Sequence, residues 1–66
     1  MADVDYAQFK VKSGKYKDCY CYAKYQDWLD NDIVECFIEQ EYEIARKAKL
    51  VRTNMELQDL HIKLTD

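Results

Sequence analysis

Apolar and polar residues alternate with period two over Gln8-Phe9-Lys10-Val11-Lys12, as in a strand with one face buried. Ser13-Gly14-Lys15 follows and holds the chain's single glycine, which marks a turn. Cys19-Tyr20-Cys21-Tyr22-Ala23-Lys24-Tyr25 is rich in aromatics, which suit a pleated surface. The first half is therefore predicted to form a β-hairpin. Cys19, Cys21 and Ala23 share one face of its second strand, and Tyr20, Tyr22 and Lys24 share the other.

The spacing changes beyond Asp30-Asn31-Asp32. These residues offer helix caps, and Asp32 with Glu35 has capping-box spacing. At about 100° per residue, Ile33, Val34, Phe37, Ile38, Ile44, Ala45 and Ala48 fall within roughly 140° of arc. Glu35, Glu39, Glu43 and Arg46 fall opposite. The pattern breaks at Leu50, so a helix is predicted to end near Lys49 or Leu50. In residues 55–64, Leu60, Ile62 and Leu64 alternate as in a strand. Leu57, Leu60 and Leu64 also fit a helix capped by Thr53 and Glu56. With the strand preferred, the expected fold class is α+β: a ββαβ unit with an antiparallel sheet and one amphipathic helix on one face.

With 66 residues the chain is expected to be a single domain, 1–66. A domain this small buries only about 60 % of its unfolded surface. Such domains often gain stability from a metal, a disulfide or a partner. The acidic N-terminus lacks the apolar stretch of a signal peptide, and no apolar run approaches the roughly 18 residues of a membrane span. Cys19, Cys21 and Cys36 are an odd set, unlike a secreted disulfide framework. Together these features point to a cytoplasmic protein with reduced thiols.

Net charge is −3, but it is segregated. Residues 8–24 carry five lysines and one acid, residues 27–43 seven acids and no base, and residues 46–52 four bases. On a helix, Asp32, Glu35, Glu39 and Glu43 would present a carboxylate about every 5–6 Å, near the phosphate spacing of a nucleic-acid strand. Such a ladder suits an imitator of nucleic acid that occupies a basic groove. An ordinary solvated face, with acids and then bases complementing the helix dipole, is the competing explanation. Tyr20 and Tyr22 among lysines suit a protein interface, where tyrosine is enriched, or base stacking, or a homodimer contact. Trp28 suits a core plug or an interface anchor. Glu41 falls inside the apolar arc, where a lone carboxylate is costly.

Chemistry-bearing motifs are sparse. His61 and Ser13 are the sole residues of their types, and one glycine cannot build a phosphate-cradling loop. Catalysis and cofactors are therefore not expected. Cys19, Cys21, Cys36 and His61 have the ligand types of a zinc site, but Cys-x-Cys lacks the usual knuckle spacing, and buried thiols acting as small hydrophobes explain them more simply. The expected function is non-enzymatic protein binding: a small stoichiometric inhibitor or adaptor of the phage type found on mobile elements. It would block a nucleic-acid-handling protein through Tyr20, Tyr22, Trp28, Asp32, Glu35, Glu39 and Glu43. The alternative is a nucleic-acid-binding or zinc-stabilised structural homodimer.

Overall fold

Val34, Cys36 and Ile38 are at most 1 % exposed, whereas Glu35 between them is exposed. That period of two is strand geometry, and it organises the second half of the chain. The computed structural model describes residues 5–41 and 43–64. The elements are β1 (Tyr6–Val11), β2 (Tyr20–Lys24), α1 (Tyr25–Asp30), β3 (Ile33–Gln40), β4 (Glu43–Val51), a 3-10 turn (Arg52–Asn54) and β5 (Met55–Leu60). The strands form one sheet in the order β4-β3-β2-β1-β5, with every neighbouring pair antiparallel.

The expected ββαβ unit is therefore corrected. Residues 33–51 form a hairpin, and the one α-helix among the described residues is the short α1 upstream. Asp30-Asn31-Asp32 ends that helix, with the Asn31 N–H bonded to the Asp27 carbonyl at 2.9 Å. Leu50, misplaced on a helix, pairs with Val34 in the ladder. Two features conceal this alternation. Ile33 and Phe37 lie on the non-core side of β3, so that face is partly apolar as well. The register also shifts between Ile38 and Glu39, which displaces the pattern in β4.

The β1–β2 hairpin pairs Phe9 with Cys21 and Ala7 with Ala23. The C-terminal strand starts at Met55, earlier than the Leu60-Ile62-Leu64 alternation suggests, and it lies beside β1.

One sheet face carries the core: Ala7, Phe9, Val11, Cys21, Ala23, Val34, Cys36, Ile38 and Met55. Tyr25 and Trp28 of α1 pack on it, together with Tyr16 and Cys19 from the β1–β2 loop. Trp28 lies 5.3 Å from Phe9 and 5.7 Å from Tyr25, ring centre to ring centre. The 3-10 turn ties the ends of this layer together. Arg52 donates to the Leu29 carbonyl at 2.9 Å and lies 3.3 Å from Asp32, while Asn54 donates to the Ser13 carbonyl at 2.9 Å. No helix among the described residues is long and apolar enough to cross a membrane.

Candidate functional site

The second face of the sheet carries no helix among the described residues. Its rows follow from the registers, because directly paired residues project to the same side. Val51 pairs with Ile33 and Lys49 with Glu35. Lys47 pairs with Phe37, Phe37 with Tyr22, and Tyr22 with Gln8. Tyr20 pairs with Lys10, and Lys10 with Glu56. The face is therefore a mixed lattice of aromatics, acids and bases.

Tyr22 is the fixed centre of this lattice. Although it points away from the core, it is only 5 % exposed. Its hydroxyl donates to the Glu39 carboxylate at 2.5 Å and accepts from the Gln8 amide at 3.2 Å. Burial, followed by the bond to Glu39, pushes the Tyr22 hydroxyl above its ordinary value. Beside it, Tyr20 is 39 % exposed and Ile33 61 %. The Lys47 ammonium sits 5.5 Å from the centre of the Phe37 ring. Tyr6, Lys24, Asp27, Glu35, Phe37 and Lys47 enclose a hollow of about 230 Å³.

The acidic helix ladder is corrected by this geometry. In a strand, residues four apart are roughly 13 Å apart, so Glu35 and Glu39 form no close series. Glu35 is paired with Lys49, and Glu39 accepts from Tyr22. Asp32 sits outside the lattice, at the corner where it meets Arg52. Glu43 begins β4, and its side chain lies outside the described residues. Glu41 is exposed in the turn after β3, so its expected place within an apolar arc is also corrected.

Trp28 belongs to the core layer, not to the open face. Its indole N–H is buried without an acceptor among the described residues, a condition that costs about 1–3 kcal/mol. The ring lines a second hollow, of about 410 Å³, with Lys12, Leu29, Arg52, Thr53 and Met55.

Cys21 and Cys36 meet in the core on neighbouring strands. Their shared hydrogen bond, reinforced by burial, pushes the Cys21 thiol up, and the Cys36 thiol lies 3.5 Å from the Ala48 carbonyl oxygen. His61 is remote from them and exposed, with Nδ1 3.1 Å from Asp5. Among the described residues no three His, Cys, Asp or Glu side chains converge on a metal position. Sequence reasoning missed Tyr6, Phe37, Lys47 and Lys49 as members of the open face. The strand period of Val34, Cys36 and Ile38 was the signal that would have found Phe37.

No family model, no curated protein and no solved structure matches this chain.

Proposed function

We propose that the chain is a non-catalytic binding module that docks another protein through the open face of its sheet. The observation that supports this reading is the lattice itself. Aromatic side chains stand among charges of both signs, and no element among the described residues covers them. Tyrosine-rich patches of this kind supply the anchoring contacts of protein interfaces.

The alternation of Lys49, Glu35 and Lys24 selects the partner's chemistry. It calls for a surface with an apolar centre and flanking charges of opposite order, which sets register and specificity. Nucleic acid is disfavoured, because acids interrupt any continuous basic track. Docking would act by occlusion, as in a small inhibitor or adaptor. The acidic ladder that suggested a nucleic-acid-handling target has no counterpart in the sheet, so only the protein-binding part of that expectation is retained.

Affinity capture from a nuclease-treated host lysate tests the proposal, comparing the wild type with Tyr20→Ala/Phe37→Ala and with Lys15→Ala as a control. A protein held by the wild type and the control, but lost from the double variant, is the expected result. Equal retention by all three rejects the open face as the docking surface. Retention of copies of the chain alone assigns the face to self-association instead.

A further inference from the structure

The hollow beside Trp28 shares no residue with the open face and raises a separate question. Its wall is apolar where Met55, Leu29 and the indole meet, and cationic where Lys12 and Arg52 stand. Its volume of about 410 Å³ falls in the range of small-ligand sites, roughly 300–1,000 Å³.

Two observations bear on what would fit there. Lys12 and Arg52 supply positive charge on the same wall. Arg52 keeps one arm on the Leu29 carbonyl at 2.9 Å, while its other arm reaches Asp32 at only 3.3 Å. Asp32 is 91 % exposed, so that second contact is a surface pair that a better-placed acid can replace.

We infer that this hollow binds a carboxylate carried on an apolar body, the apolar part against Met55, Leu29 and the Trp28 ring and the carboxylate between Lys12 and Arg52. A carboxylate is favoured over a neutral acceptor because it satisfies both cations. A free organic acid and the C-terminal end of a peptide share this chemistry.

The chain's single tryptophan makes the test direct, because emission excited at long wavelength reports on Trp28. The protein is titrated with 4-phenylbutyrate and with its amide. In parallel it is titrated with the peptide Ala-Ala-Phe-Leu, ending either in a free carboxylate or in an amide. The expected result is a saturable emission change with a carboxylate, at least tenfold weaker with the matching amide. Lys12→Glu, at an exposed position, should weaken carboxylate binding at least tenfold. Saturation by the peptide acid alone identifies chain ends as the source, and saturation by phenylbutyrate alone identifies free acids. Either result supports the site. No saturable change with any probe, or amides that bind as well as acids in the wild type, overturns it.

Discussion

Tyr22 is where the open face depends most on a single side chain. Its ring is nearly buried on the side away from the core, and its hydroxyl bridges Gln8 on β1 and Glu39 on β3. Tyr22→Phe keeps the ring and removes both bonds. It should cost about 1–2 kcal/mol, less than the full sum of a neutral bond and one to a charged acceptor, because the freed Gln8 and Glu39 are half-buried and can turn to water. Urea denaturation would measure this as a lower midpoint at unchanged slope. The sequence singled out Tyr22 as an exposed contact, whereas the fold makes it the nearly buried centre of the open face. Alternation indicates on which face a tyrosine lies. It cannot reveal that Gln8 and Glu39, one of them from a segment read as helix, will close over its ring.

Among the elements, the β3–β4 hairpin was hardest to read and is the most informative. Its strands contain Ile33, Val34, Ile38 and Val51, residues that favour strands. They also contain Glu35, Glu39, Ala45, Arg46, Lys47, Ala48 and Lys49, which favour helices. The turn signal that would have decided between them is missing. Glu41 occupies the left-handed region at φ 57, where tight hairpins ordinarily place Gly, Asn or Asp. Glu41→Gly should therefore raise stability by about 1 kcal/mol, by relieving a conformation that L-residues avoid. A thermal melt that is unchanged or lower would show that the glutamate side chain compensates in the folded state. The β1–β2 hairpin was legible for the opposite reason. Phe9 and Val11 point inward between polar neighbours, and Gly14 at φ 91 supplies the break.

For the whole molecule, Tyr22 gives the clearest response to pH. Burial and Glu39 hold its hydroxyl above 10.0, so the folded chain keeps a proton that the unfolded chain releases first. Its contribution to stability is complete below about pH 10 and declines as the pH rises beyond that. The two core thiols act in opposite senses, Cys21 shifted up and Cys36 down by the contact between them. Urea midpoints should therefore fall above about pH 10, and Tyr22→Phe should flatten that fall. A midpoint that rises through about pH 10 would contradict the burial of the Tyr22 hydroxyl.

At the same scale, charge blocks that are segregated in sequence become interleaved in space. Lys49 from the basic block stands beside Glu35 from the acidic one, so the acidic surface expected from the linear pattern dissolves into a lattice of both signs. Only strand pairing determines that outcome, and pairing is not encoded in a run of like charges.

The central claim is that the open sheet face is the docking surface. It is tested most directly by chemical-shift mapping of the isotope-labelled chain, titrated with the protein that it retains from lysate. The account predicts perturbations centred on Tyr20, Tyr22, Phe37, Glu35, Glu39 and Lys47. Perturbations confined to α1 and β5, with those six residues silent, would contradict it.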